Sequence, residues 1–141
     1  MEKIAVIYWS GTGNTETMAN AIATGIEEAG ATPVLFSVDS FKENINDYAK
    51  IAFGCPSMGD EVLEETEFEP FFESIENRLG GKKVALFGSY GWGDGQWMKN
   101  WQERVEEKNA ILYEEGLIVN GAPDDAAKGI CTHFGKSFAQ Y

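Results

Sequence analysis

Short apolar runs alternate along this chain with longer stretches in which apolar residues recur every three or four positions. The apolar runs predict strands buried on both faces of a sheet, since almost every residue in them is apolar. They cover residues 4–9, 34–38, 51–55, 84–87 and 111–119, the last interrupted near Glu115 and Gly116.

The stretches between these runs have helical periodicity. The helices are marked by Met18, Ile22 and Ile26, by Phe68, Phe71, Phe72 and Ile75, by Trp97, Trp101 and Val105, and by Ile130, Phe134 and Phe138. Gly30 suits the end of the first helix. A further short, polar helix is expected near residues 46–50.

Strands that alternate with helices predict an α/β fold, in which a parallel sheet with right-handed crossovers is covered on both faces. The 141 residues suit a single domain spanning 1–141. In doubly wound sheets, ligands bind beyond the carboxyl ends of the strands, at the point where the strand order reverses. We therefore expect the site in the loops that follow Trp9, Cys55 and Phe87.

Charge and composition narrow the class of partner. The net charge is −12, and no Lys or Arg occurs between Ile51 and Asn77. Eight acids crowd that segment: Asp60, Glu61, Glu64, Glu65, Glu67, Glu69, Glu73 and Glu76. This argues against a nucleic-acid partner and favours proteins with a basic face. No run reaches the roughly 18 apolar residues of a membrane helix, and the N-terminus has no signal-peptide pattern, so we expect a cytoplasmic protein.

The two cysteines and the one histidine suggest no catalytic or metal site. Cys55 and Cys131 are in no Cys-x-x-Cys pair, and we expect both to be free, buried thiols. His133 lies on the last helix, where a surface or capping role is expected. No serine-histidine-aspartate set and no phosphatase loop can be assembled.

The first loop, Ser10-Gly11-Thr12-Gly13-Asn14-Thr15, follows a strand and opens a helix. Its glycines permit tight turns, its polar side chains add donors, and the helix N-terminus attracts an anion. A nucleoside-triphosphate loop would end in Gly-Lys-Ser/Thr, and a dinucleotide loop would have three glycines. No Lys or Arg occurs between Ile4 and Phe41, so the pattern favours a single phosphate bound by neutral donors.

The second and third loops are unusual for core packing. In the second loop, Pro56-Ser57-Met58-Gly59-Asp60-Glu61, Gly59 lets the peptide adopt either orientation. The third loop, Ser89-Tyr90-Gly91-Trp92-Gly93-Asp94-Gly95, alternates glycines with large aromatics, which suits a wall against a flat ring. Trp97 and Trp101 have helical spacing and are expected to pack in the core.

Taken together, the three loops resemble those of the flavodoxin family, over essentially the whole chain. Trp-Ser-Gly-Thr-Gly-Asn-Thr, Met-Gly-Asp-Glu and Gly-Ser-Tyr-Gly-Trp-Gly-Asp-Gly are most similar to short-chain, clostridial-type members, which also lack a long insertion in the fifth strand. The resemblance implies a three-layer, doubly wound, five-stranded parallel sheet of order 2-1-3-4-5. It also implies a monomeric carrier of electrons between redox proteins, not an enzyme, with non-covalently bound FMN.

The resemblance also implies a role for each position. Ser10 to Thr15 would bind the FMN phosphate, and Met58 and Trp92 would cover the two faces of the isoalloxazine ring. The Gly59 carbonyl would accept a hydrogen bond from protonated flavin N5 after the backbone from Met58 to Asp60 flips. The remaining contacts, on the pyrimidine side and around the ring, would come from Ser57, Asp60, Glu61, Ser89, Tyr90, Gly91 and Gly93. Pro56 beside Ser57 departs from the family pattern but leaves Met58 to Glu61 intact.

The implied mechanism is one-electron transfer at low potential, mainly between the neutral semiquinone and the anionic hydroquinone. The acidic surroundings and the aromatic walls would disfavour the anion. Three alternatives remain open at this point: an FMN-dependent quinone or small-molecule reductase of the same fold, a binding module without flavin, and a specialised activator of a metalloenzyme. The physiological donor and acceptor are not encoded in any motif.

Overall fold

Strand β1, Lys3–Tyr8, is an interior strand of a parallel sheet, and its residues from Ile4 to Ile7 are completely buried. The computed structural model describes residues 2–141. The other strands are β2 (Thr32–Ser37), β3 (Lys50–Gly54), β4 (Lys83–Tyr90), β5 (Ile111–Leu112) and β6 (Leu117–Asn120). Their order is β2-β1-β3-β4-β5, and β6 also pairs with β4.

Strands β5 and β6 are two segments of the predicted fifth strand. Both pair in parallel with β4, β5 beside Lys83 and Val84 and β6 beside Phe87 to Tyr90. Residues 113–116 separate them, and Glu114 there has a positive φ of 48°. The predicted strand order and the interruption near Glu115 and Gly116 are therefore confirmed.

Four helices cover the two faces of the sheet. They are α1 (Asn14–Glu28), α2 (Phe68–Ile75), α3 (Gln96–Glu107) and α4 (Asp125–Gln140). The cores on the two faces share no residue: Met18 and Phe138, from α1 and α4, belong to one, and Phe72 and Trp101, from α2 and α3, belong to the other. This gives the three-layer arrangement predicted from the alternating pattern. Within residues 2–141, no helix is both long and apolar enough to cross a membrane.

Helices α1 and α4 cross at a pair of glycines. A Cβ atom on Gly25 would lie 1.8 Å from the carbonyl oxygen of Thr132, and one on Gly135 would lie 2.0 Å from that of Ile22. The two backbones can approach this closely only because neither glycine has a side chain. This contact sets the orientation of α1, whose first residues form part of the first loop.

Several local expectations were wrong. The polar helix expected over residues 46–50 is only a 3₁₀ turn at Ile45–Asp47, since Lys50 already pairs in β3. Strand β4 extends to Tyr90, so Ser89 and Tyr90 lie on the strand and not in the third loop. Ile130 is 58% exposed, and Cys131 is buried in its place.

Candidate functional site

The three predicted loops meet at the carboxyl edge of the sheet, where hydrogen bonds join the first and second loops to the end of β4, from which the third loop begins. The amide of Ser57 in the second loop donates to the carbonyl of Ser89 at 3.0 Å. The hydroxyls of Thr15, from the first loop, and Ser89 lie 3.1 Å apart. The switch point of the strand order therefore brings together residues that are more than seventy positions apart.

The first loop presents several free amide groups at the start of α1. Ser10 Oγ accepts hydrogen bonds from the amides of Gly13 at 3.1 Å and Glu16 at 3.2 Å. The amides of Gly11, Thr12, Asn14 and Thr15 have no acceptor within residues 2–141. Because these donors lie at a helix N-terminus, the loop fits an anion with several oxygen acceptors.

A cleft of about 430 Å³ lies beside this loop. It is lined by Tyr8, Trp9, Ser10, Gly11, Thr12, Gly13, Glu16, Ser37, Val38, Asp39 and Glu67. No Lys or Arg is among these lining residues, as the single-phosphate interpretation requires. The contribution of β2 to this cleft was not predicted, although the order 2-1-3 places the end of β2 next to that of β1.

The carboxylates in the cleft already have donors. Trp9 Nε1 donates to Glu67 Oε1 at 3.0 Å, and the Tyr8 hydroxyl donates to Glu16 Oε2 at 3.0 Å. Burial, together with the hydrogen bond to Glu16, raises the pKa of Tyr8. These bonds hold the carboxylates of Glu16 and Glu67 against aromatic side chains at the wall of the cleft. The third carboxylate, that of Asp39, accepts a hydrogen bond from the Ser37 hydroxyl at 2.7 Å.

The second loop is a tight turn with Gly59 near its tip. Met58 and Val62 exchange two backbone hydrogen bonds, at 2.9 and 3.1 Å. Gly59 has a φ of +31°, and a Cβ atom there would meet nothing within 4 Å. Glu61, with a φ of +56°, is in the left-handed region that non-glycine residues rarely adopt. The turn is thus held at its base while its tip is free of packing contacts.

The side chain of Glu61 reaches the N-terminus of α3. Its Oε1 accepts a hydrogen bond from the amide of Gln96 at 3.2 Å. A Cβ atom on Gly93 would lie 2.5 Å from the same oxygen, so the carboxylate fits only because residue 93 is glycine. The second loop is therefore tied to the third through this carboxylate, while its contact with a pyrimidine ring stays a prediction.

The third loop carries the most exposed large aromatic side chain of the chain's described part. Trp92 is 64% exposed and lies between the exposed Gly91 and Gly93. Trp97 and Trp101 are buried in the core, which confirms that they are packing residues. An exposed indole flanked by glycines fits a wall for a flat ligand.

The cysteines are both free and buried, as expected. Burial raises the pKa of the Cys55 thiol strongly, and it raises that of Cys131 to about 11. The thiol form therefore dominates at neutral pH, and neither sulfur is a ready nucleophile. His133 is exposed on α4, as expected.

Contacts inside the protein engage most of the acidic run. Arg104 on α3 binds Glu69 at 2.6 Å and Glu76 at 2.8 Å, and it lies over the ring of Phe72. Glu64 is buried and accepts hydrogen bonds at the start of α2. Within residues 2–141, the exposed acids of this run whose carboxylates accept no hydrogen bond are Asp60, Glu65 and Glu73. The free negative surface is thus smaller than the sequence suggests.

Comparison with known proteins places this arrangement in a family. A family model described as flavodoxin matches residues 6–134. The chain is 51% identical to the flavodoxin of Clostridium beijerinckii, over 95% of this chain and 97% of that one. It is 45% identical to the flavodoxin of Megasphaera elsdenii, over 97% of this chain and 98% of that one. The solution structure of two-electron reduced Megasphaera elsdenii flavodoxin superposes with a TM-score of 0.85 and 42% identity, covering 98% of this chain and 99% of that one.

Proposed function

This chain belongs to the flavodoxin family, and we propose that it is a low-potential one-electron carrier cycling its FMN mainly between the neutral semiquinone and the anionic hydroquinone. It binds FMN and transfers electrons, and it is not an enzyme. The proposal of semiquinone–hydroquinone cycling rests on the turn from Met58 to Val62. Two backbone hydrogen bonds close this turn at its base, and a Cβ atom on Gly59 near its tip would contact no other residue.

The first loop would hold the phosphate of FMN. The free amides of Gly11, Thr12, Asn14 and Thr15 supply hydrogen-bond donors, and the dipole of α1 adds a partial positive charge. Ser10 and Thr12 line the cleft beside these amides, although Ser10 Oγ already accepts from the amides of Gly13 and Glu16. The side chain of Asn14 is proposed to contribute a further donor. No Lys or Arg lines the cleft beside this loop, so neutral donors would carry the binding of the phosphate.

The second and third loops would hold the isoalloxazine ring. Met58 and Trp92 are assigned to its two faces. Ser57, Asp60, Glu61, Tyr90, Gly91 and Gly93 are assigned to its rim. The hydrogen bonds from Ser57 to Ser89 and from Gln96 to Glu61 support this assignment, because they fix the two loops relative to each other.

The Gly59 carbonyl is the group that would stabilise the one-electron-reduced form of the flavin relative to the oxidised form. When bound, FMN supplies the one-electron chemistry. The chain's part would be to turn the peptide between Gly59 and Asp60 so that the carbonyl of Gly59 accepts a hydrogen bond from a protonated ring nitrogen N5. A glycine permits this rotation at little steric cost, whereas a residue with a Cβ atom resists positive φ.

A pair of glycine variants tests this role. Gly59→Ala should narrow the separation between the two one-electron potentials by about 20–65 mV, since one hydrogen bond contributes about 0.5–1.5 kcal/mol and 59 mV corresponds to a tenfold change. Gly81→Ala is the matched control, because Gly81 also has a positive φ, of 79°, and open space around it, but precedes β4 at the opposite edge of the sheet. Equal shifts in both variants, or none in Gly59→Ala, would refute the role of this carbonyl.

The physiological partners are proposed to be redox proteins with basic faces. The support is the net charge of −12 and the exposed carboxylates of Asp60, Glu65 and Glu73 near the second loop and on α2. Replacing these three by Asn or Gln should reduce the salt dependence of electron transfer to a cationic redox protein. The same change at Glu106 and Glu107, at the end of α3, is the control. Identical salt dependence in both variants would contradict the assignment of this surface.

The chain is further proposed to act as one unit, residues 1–141, and as a monomer in the cytoplasm. Two free thiols support a reducing compartment. Sedimentation of the FMN-loaded protein tests the monomeric state directly, because a dimer would have twice the mass.

A further inference from the structure

A pair of buried hydroxyls connects the first loop to strand β4. Thr15 is 1% exposed and Ser89 is 5% exposed, and their Oγ atoms lie 3.1 Å apart. The amide of Ser89 also points at Thr15 Oγ1, at 3.4 Å. Neither hydroxyl has another hydrogen-bond partner within residues 2–141. The pair is therefore a closed contact between the residue that ends the first loop and the strand that leads into the third loop.

Counting protons leaves two arrangements for this pair. Each hydroxyl has one proton, and only one proton can lie between the two oxygens. If Ser89 donates to Thr15, the proton of Thr15 is free to bind an acceptor in the first loop. If Thr15 donates to Ser89, the proton of Ser89 is free instead, and Thr15 can offer nothing to a ligand.

We propose that Ser89 is a positioning residue for the phosphate. Its hydroxyl donates a hydrogen bond to Thr15 Oγ1, so that the hydroxyl of Thr15 is oriented to donate a hydrogen bond to the phosphate in the first loop. This inference rests on the proposed function, and it makes the contact of Ser89 with the cofactor indirect. A charged acceptor forms a stronger hydrogen bond than a neutral one, and donors in a chain strengthen each other. The phosphate therefore selects the first arrangement.

The proposal has a consequence for the ring side of the site. When the Ser89 hydroxyl donates its hydrogen bond to Thr15, it cannot also donate one to the pyrimidine oxygens of the flavin. The resemblance had implied that Ser89 contacts those oxygens. The residue should therefore matter for ligands with a phosphate and not for the ring alone. Riboflavin, which has the ring and the ribityl chain without the phosphate, separates the two roles.

The test measures the affinity of the flavin-free protein for FMN and for riboflavin, by quenching of flavin fluorescence. Ser89→Ala should weaken FMN binding by about threefold to tenfold, the range of one hydrogen bond, and change riboflavin binding less than twofold. In a Thr15→Val background, Ser89→Ala should not weaken FMN binding further, because the hydroxyl that accepts the hydrogen bond of Ser89 is already absent. Thr24→Val removes a hydroxyl elsewhere on α1, which donates to Asn20, and should change neither affinity.

Ser89→Cys keeps the buried volume with a weak donor and gives the same selective loss if Ser89→Ala does not fold. Equal loss of FMN and riboflavin, unchanged FMN affinity, or additive losses in the double variant would each overturn the proposal. If the protein binds no FMN, the role of Ser89 is tested separately, by the increase in thermal unfolding temperature that inorganic phosphate causes. A phosphate shift that Ser89→Ala reduces keeps this inference while the proposed function fails. No phosphate shift overturns both.

Discussion

Removing the carboxylate of Glu64 should destabilise the start of α2 and the segment that follows the second loop. Glu64 is 5% exposed. Its Oε1 accepts hydrogen bonds from the amides of Glu67 at 2.7 Å and Phe68 at 2.8 Å. Its Oε2 accepts from the amide of Thr66 at 2.9 Å and also from the Thr66 hydroxyl. One side chain therefore satisfies three amides at a helix N-terminus.

The size of the effect follows from these contacts. Loss of an N-terminal cap costs about 1 kcal/mol. The amide of Phe68 is buried, and a buried donor without a partner costs about 1–3 kcal/mol. Water can replace the carboxylate at the exposed Thr66 and Glu67. Glu64→Ala should thus lower the free energy of unfolding by about 2–4 kcal/mol.

Urea unfolding followed by far-UV circular dichroism measures this loss. Glu65→Ala is the matched control, because Glu65 is an exposed neighbour without hydrogen bonds, and its change should stay within about 0.5 kcal/mol. A loss below about 0.5 kcal/mol in Glu64→Ala would refute the assignment of these bonds as stabilising.

The same carboxyl should make stability depend on pH. Burial acts to raise the pKa of Glu64, but the hydrogen bonds from Thr66, Phe68 and Glu67 outweigh it and hold the pKa below its usual range. A folded-state pKa below the unfolded value of about 4.3 stabilises the protein at neutral pH, and this stabilisation is lost as pH falls through the folded pKa. The advantage of the wild type over Glu64→Gln should therefore shrink between about pH 5 and pH 3. A constant difference over that range would contradict the reasoning.

Three further variants test contacts elsewhere in the fold. Gly25→Ala should destabilise the protein by several kcal/mol in urea unfolding, since its Cβ atom would meet Thr132 O at 1.8 Å, whereas Gly129→Ala on an open helix surface should stabilise by up to about 1 kcal/mol. Arg104→Lys should lower the free energy of unfolding by about 1–2 kcal/mol, because an ammonium group cannot replace the forked contacts to two carboxylates. An unchanged free energy of unfolding would show that these ion pairs do not stabilise the protein. Cys131, whose pKa burial raises to about 11, should resist alkylation at pH 8 until the protein unfolds; rapid labelling of the folded protein would contradict its burial.

Local patterns predicted much of the fold. The continuous apolar run of β1 predicted a strand buried on both faces because only a central parallel strand excludes water from both sides. Four-residue spacing correctly predicted that Phe134 and Phe138 on α4 are buried, but it was wrong for Ile130. Ile130 fits that spacing, yet the face toward the sheet is set by Cys131, Phe134 and Phe138. An error of one position turns a helix by about a quarter of a turn, enough to expose a side chain.

The sequence was sufficient to predict where the site lies in the fold, but not which of its side chains contact each other. The loops were found because parallel strands bring their carboxyl ends to one edge. The bond between Thr15 and Ser89 joins residues far apart in the chain, and local spacing does not reveal it. The internal partners of the acidic run could not be predicted for the same reason, because Arg104 pairs with Glu69 and Glu76 from another helix.

Stepwise photoreduction of the FMN-loaded protein without oxygen, followed by its absorbance, shows whether the protein carries one electron at a time. We expect the long-wavelength band of a blue neutral semiquinone to rise as the first electron enters, to reach its maximum near one electron per FMN, and to disappear only with the second. Bleaching in a single two-electron step, with no long-wavelength band at the midpoint, would contradict this expectation.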